Sequence, residues 1–367
     1  MEKRKWADIL HIVSGKNQKD VQNPNGKYPI YGSGGKMGYA DEYLCEPGTT
    51  IVGRKGTINR PIYVDEPFWN IDTAFGVTPD GGLDSKYLFY FCVHFDFMPL
   101  DKSTGRPSLA KSDLLKIEMP VPSIDEQRRI VSRIEELFSE LDNSVSTLQK
   151  TKEQLAVYRQ AVLKEAFDSI NADSVCIQDV CKNIVDCPHS TPKWTRDGYL
   201  CLRTTNFRRG YLDLSEPNYV SKDTFDTRNQ RLIPMPGDVL YSREGAILGL
   251  ACIIPADTYV CLGQRMMLLR AGSRLSNMYL MHFLNSPRLT NFVASVTGGS
   301  ASPHVNVGDI KKFQMPFPGI DEQDKIVEFI ESRLSVCDSI ERTIDTALQQ
   351  AEAMHQSVLK QAFEGRL

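Results

Sequence analysis

MPVPSIDEQRRIVSRIEELF, Met119 to Phe138, is spelled a second time as MPFPGIDEQDKIVEFIESRL, Met315 to Leu334, and this duplication decides the fold. The offset is 196 residues and holds without a gap from Asp113 and Asp309 to Phe167 and Phe363. Asp125-Glu126-Gln127 answers Asp321-Glu322-Gln323, and Val162-Leu163-Lys164 answers Val358-Leu359-Lys360. A repeat of that length makes the chain two copies of one unit, each a globular segment followed by a long helix.

Pro120 and Pro122 force an extended approach to the helix. Ser123 is expected as its N-cap, with Glu126 completing a capping box. Gly319 takes the cap position in the second copy. From Ser123 to Phe167 no proline or glycine interrupts the chain. Apolar residues recur at heptad spacing through Ile134, Leu141, Leu148, Leu155 and Val162, and again through Ile330, Cys337, Ile344, Ala351 and Val358. A second row is less pure: Ile130, Leu137, Ser144, Thr151 and Tyr158, then Ile326, Arg333, Ile340, Ala347 and Met354. The rows predict a coiled-coil seam. About 40 residues make a rod of roughly 60 Å, which cannot bury a stripe alone. The two helices are therefore expected to pair; the other reading packs each on its own domain.

With 367 residues, 41% hydrophobic and 24% charged, the chain suits a soluble globular protein of two or three domains. No apolar run approaches the roughly 20 residues that span a bilayer, and MEKRKWADIL is no leader peptide, so a cytoplasmic location is expected. Nine cysteines without a CxxC pair read as reduced thiols. The net charge of −3 is unevenly placed. Residues 1–120 are neutral, residues 170–316 carry sixteen basic and twelve acidic side chains, and both helices are acidic. That distribution suits globular parts that approach a polyanion while the rods stand off it, although a solvated acidic coiled coil looks the same.

The expected organisation is a globular domain at 1–120, a helix at 121–169, a second globular domain at 170–316 and a second helix at 317–367. In fold class this is α+β. The first domain reads as a glycine-rich passage at Gly26–Tyr39, strands in PGTTIVGRKG (Pro47–Gly56) and RPIYVDEP (Arg60–Pro67), and a buried helix over Ser85–Phe95. The second follows the same plan. PGDVLYSREG (Pro236–Gly245) sets Gly237, Arg243 and Gly245 against Gly48, Arg54 and Gly56. SNMYLMHFLNSPRLTNFV (Ser276–Val293) is the expected counterpart helix, and GGSASPHVNVGDIKKFQMP aligns with STGRPSLAKSDLLKIEMP, Pro303 falling on Pro107.

No catalytic constellation is visible: there is no GxxxxGK[ST], no HExxH and no Asn/Asp-Pro-Pro-Tyr/Phe, and GSGGKMG is not GxGxxG. What remains are residues suited to phosphates and base edges. In the first domain these are Tyr31, Ser33, Lys36, Arg54, Lys55, Thr57, Thr73 and Arg106. In the second they are His189, Ser190, Thr191, Arg203, Thr204, Thr205, Asn206, Arg243, Glu244, Gln264, Arg265, His304 and Asn306. Arg, Asn and Gln offer bidentate base contacts, and Ser, Thr and Lys position a backbone. Turn geometry or structural ion pairs would use the same residue types. Arg54 and Arg243 stand out because both copies set them at the same strand exit.

These stretches resemble the specificity subunit of type I restriction–modification systems. YPIYGSGGKMGY (Tyr28–Tyr39), IVGRKGTINRP (Ile51–Pro61), WNIDTAF (Trp69–Phe75) and DCPHSTPKW (Asp186–Trp194) are similar to that family's target-recognition domains. IDEQRRIV and IDEQDKIV are similar to the start of its two spacer helices, and VLKQAFEGRL is similar to its usual C-terminal ending. The resemblance implies two recognition domains, each reading half of a split double-stranded DNA target, with antiparallel coiled-coil helices setting the gap. It implies two methyltransferase subunits docked on the helices and supplying S-adenosylmethionine chemistry on adenine N6. A restriction and translocation subunit would use ATP and magnesium, and the chain itself would be non-catalytic, with no cofactor or metal. Two other readings stay open, a regulatory or decoy protein that reads no DNA and a coiled-coil adaptor.

Overall fold

The computed structural model describes residues 2–297 and 303–367. The chain forms two compact units, Met1–Gln149 with Ile344–Leu367, and Lys150–Thr343. No described helix is long and apolar enough to cross a membrane.

The first unit contains β1 (Lys3–Lys5), β2 (Leu10–Ser14), β3 (Tyr28–Gly32), β4 (Gly35–Ala40), β5 (Thr49–Gly53), β6 (Ile62–Val64), β7 (Trp69–Asn70), β8 (Ala74–Pro79), α1 (Ser85–His94), α2 (Lys111–Leu114), β9 (Glu118–Pro120) and the start of α3 (Ile124–Asp168). An antiparallel sheet runs in the order β2-β8-β5-β6, and a smaller one in the order β4-β3-β7. All five residues of β5, TTIVG, are buried, as expected of an inner strand covered on both faces. Helix α1 starts where the Asp84 carboxylate accepts the N–H groups of Lys86 and Tyr87, both at 3.0 Å. Its Phe91 ring packs edge-on to Trp6, which is fully buried and also meets Phe97.

The second unit repeats the plan with β10 (Ser174–Cys176), α4 (Ile177–Val180), β11 (Cys181–Asp186), β12 (Trp194–Thr195), β13 (Tyr199–Leu202), β14 (Tyr219–Val220), α5 (Lys222–Arg228), β15 (Val239–Ser242), β16 (Ala251–Ile253), β17 (Cys261–Leu262), β18 (Met266–Ala271), α6 (Asn277–Leu284), α7 (Pro287–Thr297), α8 (Val307–Lys311), β19 (Gln314–Pro316) and the start of α9 (Ile320–Phe363). Its sheets are β11-β18-β15-β16 and β12-β14-β13-β17. The expected single helix over Ser276–Val293 is two helices. Pro287 lacks an N–H and opens α7 at its first position, where none is needed. The aligned segment at 298–302 lies outside the described residues.

Each unit pairs the long helices antiparallel. In the first, Arg129 donates to the Leu367 carbonyl at 3.3 Å, and the Phe138 and His355 rings lie 4.5 Å apart. In the second, Arg159 bridges Asp338 at 2.7 Å and Glu341 at 2.9 Å, while Arg333 donates to the Tyr158 hydroxyl at 3.4 Å. The first heptad row turns inward: Ile134, Val162, Ile330, Cys337, Ile344 and Ala351 are buried. The second row does not form a full seam. Tyr158, Ile340 and Met354 are 44%, 40% and 53% exposed, whereas Ile130 of the same row is buried. The far end of α9 adds Phe363 to the first unit's core against Tyr87 and Phe91, a burial worth about 1.5–3 kcal/mol.

The joint between globular part and helix is built from the DEQ motif. Gln127 and Gln323 are both fully buried. Gln127 Oε1 accepts the Asp84 N–H at 2.8 Å, and its Nε2 donates to the Gly82 and Pro122 carbonyls at 3.0 and 2.9 Å. Gln323 Oε1 accepts the Ser276 N–H at 2.9 Å, and its Nε2 donates to the Arg274 and Pro318 carbonyls at 3.0 and 2.9 Å. Tyr87 and Tyr279 add matching bonds to the Pro120 and Pro316 carbonyls, at 3.0 and 2.8 Å. The capping box is only half formed. Ser123 Oγ accepts from the Glu126 N–H at 3.4 Å, but the Glu126 carboxylate turns to Arg129 instead.

Candidate nucleic-acid interface

In the first unit the parallel pair β3/β7 aligns Tyr31 with Asn70, and its ends deliver Ser33 and the turn 71–73 to one place. Strand β5 exits beside them. The Arg54 and Lys55 N–H groups donate to the Thr73 carbonyl at 2.8 and 3.1 Å, and Ser33 Oγ donates to the Lys55 carbonyl at 2.8 Å. The Gly56 N–H donates to the Pro107 carbonyl at 2.8 Å, and the Leu109 N–H to the Arg54 carbonyl at 2.8 Å. These bonds knot four segments into one surface. Gly56 holds φ at 87°, where a side chain is strained. The Arg106 guanidinium lies over it, so close that a Cβ would sit 2.7 Å from Nη2.

Seven of the first unit's eight predicted residues meet on or border this knot: Tyr31, Ser33, Arg54, Lys55, Thr57, Thr73 and Arg106. Lys36 sits on β4, paired with Tyr31 at the hairpin. Ser33 is buried and joins segments, whereas Lys36, Lys55, Thr57 and Arg106 are exposed. Lys36 donates to the Tyr39 hydroxyl at 3.0 Å, which holds its ammonium above the ordinary lysine range. Tyr31 packs on Phe68, and Arg54 lies half-buried with its guanidinium carbon 5.6 Å from the Phe75 ring centre.

The second unit uses the same backbone frame. The Arg243 N–H donates to the Arg265 carbonyl at 3.1 Å, the Gly245 N–H to the Pro303 carbonyl at 3.1 Å, and the Val305 N–H to the Arg243 carbonyl at 2.9 Å. Gly245 holds φ at 88°. The parallel pair β13/β17 again points its ends into the frame, carrying Arg203 and Thr204 on one strand and Gln264 and Arg265 on the other.

The side chains differ. Arg243 was expected to match Arg54 at a DNA surface, but it is 7% exposed and grips Asp186 with Nε and Nη2, at 2.8 and 3.2 Å. A buried guanidinium committed to the half-buried Asp186 carboxylate has little left for a base edge. Asp186 also holds His189 Nε2 at 3.0 Å. Asn206 is buried too. It accepts from the Arg203 N–H at 2.9 Å and donates to the Asp213 carbonyl at 3.1 Å, so it shapes its turn. Asn306 stands at the N-cap position of α8 and its Nδ2 donates to the Asp309 carboxylate at 3.2 Å, and His304 bridges by backbone to Glu244. Thr191, Trp194, Arg203, Thr204, Gln264 and Arg265, with Pro192, line a cavity of about 200 Å³. Arg203 lies over the Trp194 ring at 5.4 Å. Arg265 is exposed with φ at 68°, loosely paired with Glu244 at 3.6 Å. Sequence reasoning missed Trp194, although an aromatic beside Lys193 in a loop was a usable signal, and it missed Arg228, which looked like a solvated helix residue.

The profile of the family described as "Type I restriction modification DNA specificity domain" matches residues 1–155 and 171–350. The chain belongs to that family. This specificity chain is similar to the EcoBI specificity subunit of Escherichia coli, 24% identical with 89% of this chain and 75% of that one covered. It is similar also to the EcoKI specificity subunit of Escherichia coli strain K12, 24% identical with 86% and 73% covered. Among solved structures, the specificity chain matches a chain described under "complex assembly and conformational transition of the type I R-M system", with TM-score 0.75, 17% identity and coverage of 100% and 98%. The HsdS subunit from Thermoanaerobacter tengcongensis matches with TM-score 0.56, 17% identity and coverage of 100% and 97%. These two likenesses show the shared fold.

Proposed function

We propose that this specificity chain reads DNA in two separated parts, one with each unit, within a type I restriction–modification assembly in the cytoplasm. The observation that carries the reading is the common backbone frame with different side chains on it. Arg54, Lys55 and Arg106 surround it in one unit, and Arg203, Gln264 and Arg265 in the other. Phosphate contacts hold a register on the duplex, and loop side chains choose bases.

The chemistry belongs to partners in this reading. Two methyltransferase subunits bind S-adenosylmethionine and methylate adenine N6, and a restriction and translocation subunit uses ATP and magnesium. The chain holds no cofactor of its own. Docking on the long helices is supported by apolar side chains left in solvent there, with Val157 71%, Val336 58% and Met354 53% exposed.

The test is selection from a randomised duplex pool by the full chain purified with its methyltransferase subunits. Two short fixed blocks separated by an unread interval of constant length are expected. Capture of DNA with no sequence enriched would point to a regulatory or decoy role, and failure to co-purify with any methyltransferase to an adaptor.

A further inference from the structure

One buried cation ties together the loops of the second unit that carry its candidate reading residues. Arg228, the last residue of α5, is 7% exposed. Its Nε donates to the Leu262 carbonyl at 2.6 Å and its Nη1 to the Ser190 carbonyl at 3.1 Å. Its Nη2 donates to the Gly263 carbonyl at 2.8 Å and the Pro188 carbonyl at 3.2 Å. Two acceptors lie in the Asp186–Trp194 loop, and two lie at the end of β17, directly before Gln264 and Arg265.

An arginine at a helix C-terminus ordinarily covers the helix's own last carbonyls or reaches out to water. This one is turned under the end of the sheet instead. Burying a guanidinium is costly unless its donors are engaged, and here none of the four acceptors is a carboxylate. The guanidinium presents five N–H donors in a fixed planar fork, enough to address four carbonyls on two segments at once, where an ammonium has three. The first unit holds the matching strand end with a neutral group. Asn70 donates to the Val13 and Ala74 carbonyls at 3.4 and 3.2 Å.

We propose that Arg228 is a positioning residue for reading the second half of the DNA target, an inference that rests on the two-part reading above. It touches no base. It fixes the Asp186–Trp194 loop against the end of β17, so that Thr191, Trp194, Arg203 and Arg265 present one surface. Gln264 closes the same joint, its Nε2 donating to the His189 carbonyl and its Oε1 accepting from Thr191 Oγ1 at 3.3 Å. Gln264 thus helps to hold the loop while its amide keeps one N–H beyond these bonds.

Arg228→Lys keeps the charge and the stem but loses the fork. The full-length chain with its methyltransferase subunits is titrated with the selected duplex and with duplexes changed at one base in either half. The ratio of matched to mismatched affinity is independent of the folded fraction. In the variant this ratio is expected to fall about tenfold for the second half, the discrimination of roughly one bidentate contact, and to hold for the first. Acrylamide quenching follows the loop separately, because Trp194 is 39% exposed whereas Trp6 and Trp69 are 0% and 7% exposed. Quenching of Trp194 is expected to rise. An unchanged second-half ratio, equal losses in both halves, or a second unit that no longer folds would each overturn the positioning role. A wild-type complex that distinguishes no sequence would instead overturn the two-part reading.

Discussion

Arg54 and Arg243 occupy the same station in the two backbone frames, each accepting at its carbonyl from the residue two beyond a proline, yet only Arg54 has a guanidinium open to solvent. Arg243→Ala takes the guanidinium away from half-buried Asp186 and leaves that carboxylate only His189, which should destabilise the second unit by about 1–3 kcal/mol. Arg54→Ala should leave stability nearly unchanged and weaken binding of the first half-site by about 1–3 kcal/mol. Urea unfolding and duplex titration separate the two. An Arg243→Ala protein as stable as wild type would remove the structural role.

Gln127→Leu and Gln323→Leu should cost similar amounts, on the order of 3 kcal/mol each, because each strands one buried N–H and two carbonyls. The measurement is the denaturation midpoint of each variant. A marked difference between them would mean that the two joints, alike in geometry, are supported differently.

Asp101 pins the loop that carries Arg106. Its Oδ1 accepts the Ser103 and Ser108 N–H groups at 2.9 and 3.0 Å, and these bonds hold the carboxyl below its usual range. A depressed folded value means the contribution is complete above the unfolded value near about 3.9 and is lost as pH falls through the lower folded one. The Asp101 contribution to first-half binding should therefore be complete and independent of pH around neutrality. Asp101→Ala should loosen the loop at neutral pH, which amide exchange at Ser103 and Ser108 would detect as faster exchange.

The long helices should act as a ruler. One heptad adds about 10 Å of helix, comparable to about three base pairs. A heptad inserted after Leu148 and another near Ile344 keep the buried row in phase, so both half-sites should stay the same while the interval between them lengthens. A four-residue insertion shifts the row and should impair pairing. The methylated motif of the reconstituted enzyme is the readout, and an active heptad variant with its interval unaltered would show that something else sets the distance.

The duplication, the unbroken helices and their inward row were legible because each is a repeated pattern, and patterns survive without coordinates. The backbone frame was legible in part: Gly56 with Gly245 and Pro107 with Pro303 could be aligned by eye, and both pairs make the same bond. What could not be read was where side chains point. Nothing local separates Arg54 from Arg243; the difference is Asp186, far off in sequence, which one arginine finds and the other lacks. The same holds for Arg228, whose four acceptors lie on two remote loops. The role of Gln127 was hidden for the opposite reason, since a polar residue one turn into a solvated helix gives no hint that it is fully buried.

The paired Gln and Tyr bonds at each joint have a mechanical consequence. A helix that met its globular part through apolar contact alone could swivel a few degrees at little cost, since such contact is non-directional. Gln127 and Tyr87 instead bolt both the start of α3 and the strand before it to α1 and the loop ahead of it, and Gln323 and Tyr279 do the same for α9 and α6. Torque applied at the start of either rod is therefore delivered to the short helix it is bolted to, with directional bonds rather than a soft bearing between them.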